Sequence, residues 1–281
     1  MTKETVREMH VSIKVILVGC GNMGYAMLSG WLASGRLQGD EVAVVEPNDA
    51  LRLRAAELGA DAHDAIEPLL DARPDLVIFA VKPQVMGEVV PAYRHLADGR
   101  TTFLSIAAGT SVATFEALLG AGTPIIRCMP NTPASIGQGM MVTFANANVS
   151  DDTKAFVTQL LSASGKVAEI DDEGLMDAVT AISGSGPAYV FHFIECLTKA
   201  GETIGLPRET AKLLAMQTVY GAGSLAAESH EEPAELRRQV TSPNGTTAAA
   251  LAVFMDDGRL EKLVGEAVEA ARARSVELGK G

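Results

Sequence analysis

The chain has 281 residues, 47% of them hydrophobic, enough for one large or two ordinary domains, and two is the expected number. A net charge of -12, with acids and bases interspersed, opposes the counterion release that nucleic-acid binding requires, and it offers no global attraction for an anionic substrate, which must be captured by local donors. The charged opening MTKETVREMH lacks the apolar core of a signal peptide and no run approaches the ~20 apolar residues of a membrane span, so a soluble, cytoplasmic protein without a membrane partner is expected.

From Ile13 to about Ile170, short β-branched runs alternate with amphipathic segments: IKVILV, EVAVVE, DLVIFAV, TTFLSIA, PIIRCM, a weaker MMVTFA and KVAEI. Such alternation predicts a mostly parallel sheet with helical crossovers over residues 1-170. Helices are predicted over Asn22 to Ser34, Asp49 to Leu58, Gln84 to Ala97 and Ser111 to Leu119, with Gly59, Gly99 and Gly120 as stop signals. After about Asp171 the strand pattern ends, and residues 171-281 read as an all-helical domain. Its predicted helices cover Glu173 to Ser183, Pro187 to about Gly205, Pro207 to about Ser229, Pro233 to Val240, Thr247 to Asp256 and Leu260 to about Leu278. The stretch AKLLAMQTVYGAGSLAA is apolar nearly all round, more than a small helical domain can cover, which points to a subunit interface.

VILVGCGNMG carries G-x-G-x-x-G directly after a predicted strand and before a predicted helix, the context that makes this spacing a dinucleotide site. Gly19 permits the tight turn, Gly21 lets the backbone approach a pyrophosphate, and Gly24 lets the helix pack on the strand. Free N-H groups at the helix start, around Asn22 and Met23, hold the anion. Glu46 ends the second strand at the offset where a carboxylate meets the ribose hydroxyls of NAD. Asn48, Arg52 and Arg54 follow and could serve a 2′-phosphate, so both NADH and NADPH stay open. VKPQ (Val81 to Gln84) stops the third predicted strand with Pro83 and sets Lys82 and Gln84 at the carboxyl edge of the sheet, and RCMPNTPASIGQG brings Asn131 and Thr132 to the same edge. Cys20, Cys128 and Cys196 include no CxxC pair, and His10, His63, His95, His192 and His230 fit no metal spacing; free thiols and no metal are expected.

Two segments of the helical half suit an anionic substrate. In AISGSGPAY, Ser183 and Ser185 precede a helix opened by Pro187; in VTSPNGTTAAALAVF, the Asn244-Gly245 turn precedes a helix starting near Thr246 or Thr247 with no acidic residue to compete for its amides. Each also reads as an ordinary capping sequence.

In this order along the chain, the glycine loop, VKPQ, MPNTP with Gly137 and Gly139, SGSGPAY and PAELRRQVTSPNGTT resemble the pyrroline-5-carboxylate reductase family over nearly the whole sequence. The stretch from Pro233 to Phe254 looks like the family signature, with Leu236, Val240, Thr241, Ser242, Gly245, Thr247 and Leu251 on pattern. Asn244 stands where the family usually has a second glycine, and Met255 where it usually has an acidic or amide residue. The resemblance implies a Rossmann N-terminal domain, an all-α dimerisation domain, an active site completed in a homodimer or a higher oligomer such as a decamer, and reduction of 1-pyrroline-5-carboxylate to L-proline by NAD(P)H. It also implies that Ser242, Gly245, Thr246 and Thr247 hold the substrate carboxylate, with the Thr247 hydroxyl near the ring nitrogen. Ser183, Ser185, Gly186 and Pro187 are implied beside the nicotinamide, and Lys82, Pro83 and Asn131 at the cofactor. The alternatives are another imine, β-hydroxyacid or deazaflavin reductase, which should lack the signature, and a nucleotide-sensing module without turnover.

Overall fold

The structure is a computed structural model that describes residues 13-279; the charged opening with His10 lies outside them. Packing divides the chain into two compact units, one running through Gly184 and resumed from Arg272, the other Ser185–Ala271.

The first unit contains β1 (Val15–Val18), α1 (Asn22–Ala33), β2 (Val42–Val45), α2 (Asp49–Glu57), β3 (Asp61–His63), β4 (Leu76–Phe79), α3 (Met86–Val89), β5 (Thr102–Ser105), α4 (Val112–Leu119), β6 (Ile125–Met129), β7 (Gly139–Ala145), α5 (Asp151–Leu161), β8 (Gly165–Glu169) and α6 (Met176–Val179). The strands form one sheet in the order β3-β2-β1-β4-β5-β6-β7-β8. The chain leaves β1 toward β2 and β3, then returns to its other side at β4, so the carboxyl ends of β1 and β4 flank the point where open α/β sheets bind ligands. Both faces are covered, as the continuous apolar strands require. Leu17, Met27, Leu28, Trp31 and Leu104 pack on one face. On the other, Phe79 stacks with Phe103 and Phe115 and meets Tyr93 edge-on, at centroid distances of 6.2, 5.8 and 5.3 Å.

Four local expectations are corrected. β7 runs antiparallel to β6, because residues 130-138 between them are too few for a helical crossover. Gln84 to Ala97 is not one helix: α3 is flanked by 3-10 turns over Pro83–Val85 and Val90–Leu96, since Pro91 cannot donate to a helical ladder. Glu173 to Ser183 likewise breaks into a 3-10 turn, α6 and a π-helical stretch over Thr180–Gly184. There the Thr180 hydroxyl donates to the Met176 carbonyl at 2.9 Å, a bond that bends helices. Helix α5 was not expected from the sequence, although Ser150 caps it by accepting from the Thr153 N-H.

Strands end at Glu169, yet the first unit holds its chain until Gly184. Long-range ties explain this. The buried Arg127 on β6 donates to Glu173 at 2.8 Å, and Glu173 also accepts the Val112 N-H that opens α4. Asn131 donates to the Ser183 carbonyl at 3.1 Å, and Ser275 donates to Asp177 at 2.6 Å, which returns the end of the last helix to this unit.

The second unit is helical: α7 (Gly186–Thr203), α8 (Arg208–Glu228), α9 (Pro233–Gln239), α10 (Thr246–Met255) and most of α11 (Arg259–Leu278). Pro187 stands at the second rather than the first position of α7, and Pro207 is the residue before α8. Helices α7 and α8 pack closely through small residues, for a β-carbon on Gly201 would lie 3.0 Å from the Ala211 methyl. Among the described residues of this unit only Thr198, Ala211 and Ala215 are buried, while Phe191, Leu213, Leu214, Tyr220 and Leu225 are exposed. Apolar surface on that scale calls for a covering partner.

Candidate active site

The glycine loop joins β1 to α1. Gly19 has φ +89, and a β-carbon there would meet Val81 Cγ1 at 2.7 Å and the Ala80 carbonyl oxygen at 2.9 Å, so only glycine fits against the end of β4. At Gly24 a β-carbon would stand 2.5 Å from the Gly19 carbonyl oxygen, which forces the first turn of α1 close to the strand. Gly21, by contrast, would point its β-carbon into open space with no atom within 4 Å. It is the residue before α1, and no side chain caps that helix or places an acid in its first turn. The open cradle and the uncapped amides of Asn22 and Met23 fit a dinucleotide pyrophosphate.

Glu46 follows β2 and is buried, at 7% exposure. Its two oxygens accept the Cys20 N-H at 2.7 Å and the Asn48 N-H at 2.9 Å, so the carboxylate braces the glycine loop from 26 residues away. Asn48 caps α2, accepting from the Leu51 N-H at 3.1 Å. The Cys20 thiol is buried, and that burial pushes its pKa up to about 11, so it is a protonated spacer rather than a redox group. Val81 lies against Gly19, while Lys82 and Pro83, both exposed, open the 3-10 turn after β4. The structure thus brings Gly19, Gly21, Gly24, Glu46 and Val81 to one sheet edge.

Asn131 plays a different part from a simple surface donor. Its amide donates to Ser183, and its Oδ1 accepts the Met140 N-H at 2.9 Å, which ties the loop after β6 both to β7 and to the π-helical stretch. π-helical turns concentrate at functional sites.

In the helical unit, Ser242 is exposed and Thr247 half-buried. Asn244 has φ +59, the left-handed conformation that asparagine tolerates better than most residues, which explains how it stands in for glycine. Gly245 precedes α10, which has no side-chain cap and no acid in its first turn; its N-terminal amides are left without a side-chain acceptor. An apolar hollow of about 440 Å³ lined by Arg237, Leu251, Phe254, Met255 and Val264 lies toward the C-terminal end of α10 and begins at Leu251, one helical turn beyond Thr247.

Cys20 and Cys128 are buried and Cys196 exposed, none in a disulfide, and no group of metal-ligating side chains exists among the described residues. Among the same residues no helix is long and apolar enough to cross a membrane.

A doubly wound sheet with a glycine cradle at its switch point is the architecture of a dinucleotide-binding protein. A family model described as NADP oxidoreductase coenzyme F420-dependent matches residues 14-109, and one described as Pyrroline-5-carboxylate reductase dimerisation matches residues 173-278. The chain is 44% identical over 269 residues to the pyrroline-5-carboxylate reductase of Pseudomonas aeruginosa, covering 95% of this chain and 97% of that one, and 41% identical to that of Synechocystis, covering 96% and 100%. A solved pyrroline-5-carboxylate reductase from Coxiella burnetii matches with a TM-score of 0.89 at 34% identity over 96% of this chain and all of that chain. Another, from Plasmodium falciparum with NADP bound, matches with a TM-score of 0.80 at 31% identity over 95% and 98%. The chain belongs to the pyrroline-5-carboxylate reductase family and is an NAD(P)H-dependent oxidoreductase. Its helical half is an oligomerisation domain.

Proposed function

We propose that the chain reduces 1-pyrroline-5-carboxylate to L-proline, the last step of proline synthesis, as a cytoplasmic homodimer that can assemble further, up to a decamer. The observation that carries this reading is the turn from Ser242 to Thr247, where a left-handed Asn244 and Gly245 lead into the uncapped N-terminus of α10. A helix of ten residues with no acid in its first turn offers its amides and the positive end of its dipole to a carboxylate.

The ring nitrogen of a cyclic imine is protonated before reduction, so the carbon to be reduced is already a good hydride acceptor and needs no metal. NADH or NADPH supplies the hydride when bound on the glycine loop. The protein's own task is placement. Ser242 and the amides of Gly245, Thr246 and Thr247 fix the carboxylate, and the Thr247 hydroxyl orients the nitrogen. Ser183, Ser185, Gly186 and Pro187 form the wall beside the nicotinamide; Val81, Lys82, Pro83, Asn48 and Asn131 contact or support the cofactor.

Following NAD(P)H absorbance after adding racemic 1-pyrroline-5-carboxylate at neutral pH tests the proposal. Steady oxidation with formation of proline is expected; its absence with both cofactors sinks the reading. Light scattering on a sizing column gives the assembly, and a monomer at working concentration would remove the homodimer.

A further inference from the structure

We propose that this enzyme prefers NADH to NADPH, because Glu46 is held ready for a ribose 2′-hydroxyl while both arginines that could welcome a 2′-phosphate are committed elsewhere. The inference rests on the glycine loop being the dinucleotide site, and it concerns which dinucleotide that loop selects.

Glu46 sits at the end of β2, the position from which an acid reaches the adenosine ribose in this fold. One oxygen accepts the Cys20 N-H and the other the Asn48 N-H. A carboxylate has about four lone-pair sites, so two remain, and the two amides fix its orientation in advance. A phosphate at the 2′ position would face this carboxylate at short range in a buried setting, where repulsion is weakly screened.

Relief would have to come from Arg52 or Arg54. Arg52 donates to the Glu46 carbonyl at 3.0 Å and the Pro47 carbonyl at 3.2 Å, and pairs with Asp49 at 2.6 Å. Arg54 lies over the Tyr25 ring, 3.8 Å from its centroid, and donates to the Cys20 carbonyl at 3.2 Å. Arg52 therefore holds the start of α2, and Arg54 ties α2 to the glycine loop and α1. Asp49, an acid in the first turn of α2, lowers the appeal of that helix N-terminus for a second anion.

Calorimetric titration of the full-length protein with NADH and with NADPH, without imine substrate, reads the preference directly. Tighter binding of NADH by about tenfold or more is expected, about 1.4 kcal/mol. Glu46→Gln should close most of that gap by improving NADPH, while Arg52→Ala and Arg54→Ala should not weaken NADPH more than NADH. Equal or tighter binding of NADPH by the unaltered protein overturns the proposal, as does an NADPH-selective loss in either arginine variant. No binding of either dinucleotide overturns the assignment of the loop itself. Should Glu46→Gln not fold, the unaltered protein and the arginine variants still decide.

Discussion

The hydroxyl oxygen of Ser242 fills the space that a β-carbon on residue 245 would need, so the serine rotamer and the glycine three residues later are one unit. Gly245 itself has φ -81 and ψ 173, extended backbone open to any residue, so its glycine is demanded by the hydroxyl rather than by the chain. A methyl at 245 can be accommodated by turning Ser242 aside. Gly245→Ala should therefore leave the melting temperature nearly unchanged and raise the KM for the imine about tenfold, the scale of one charge-assisted hydrogen bond of about 1.5 kcal/mol. Ser242→Ala should have a similar effect, and the double variant should be no worse than either single one, the non-additivity that a shared contact produces. Additive losses in a double-mutant cycle would refute the link.

Gly21 and Gly24 should fail in different ways. A methyl on Gly21 meets nothing in the protein, so Gly21→Ala should fold with unchanged stability and lose dinucleotide affinity by about tenfold or more, a loss on the scale of about 1.4 kcal/mol. A methyl on Gly24 collides with the Gly19 backbone, so Gly24→Ala should also cost about 1–3 kcal/mol of stability. Thermal melts beside cofactor titrations separate the two; equal destabilisation would contradict the open cradle.

Thr247→Val keeps the shape of the side chain and removes its hydroxyl. A fall in kcat of about two- to tenfold is expected, the worth of one neutral hydrogen bond at about 0.5–1.5 kcal/mol, with NAD(P)H affinity unaffected and Thr247→Ser restoring the rate. Unchanged kcat and KM in Thr247→Val would remove the assigned role.

Alkaline stability should follow the buried thiols. Burial raises the Cys20 pKa from an ordinary 9.0 to about 11 and that of Cys128 to about 12. As pH rises past 9 the unfolded chain loses these protons first, so stability present below that pH is lost as it climbs toward 11–12. Melting temperatures from pH 8 to 11 should fall less steeply for Cys128→Ala than for the unaltered protein. At neutral pH neither buried thiol should react with iodoacetamide in the folded protein, and peptide mapping that found rapid labelling of Cys20 would contradict its protonated state.

The sequence by itself determined the glycine loop and the turn before α10, because both are set by short-range backbone needs. Glycines at fixed spacing after an apolar strand, and an Asn-Gly pair before an uncapped helix, leave few conformations open, and the structure places Gly19 and Asn244 in the left-handed region accordingly. Periodicity likewise marked seven of the eight strands and each long helix of the second unit; the short, polar β3 carried too little pattern to see. The tertiary structure alone decided what depends on partners far along the chain: Glu46 bracing Cys20, Asn131 holding Ser183, Arg127 meeting Glu173 and Ser275 meeting Asp177. Hydrogen bonds spanning 26 to 98 residues leave no periodic trace in a sequence, since any acid, amide or serine at a surface-like position looks alike until the fold brings its partner within 3 Å. For that reason the loop could be read as a dinucleotide site at once, while the commitments of Glu46, Arg52 and Arg54 emerged only when the second strand was seen beside the first.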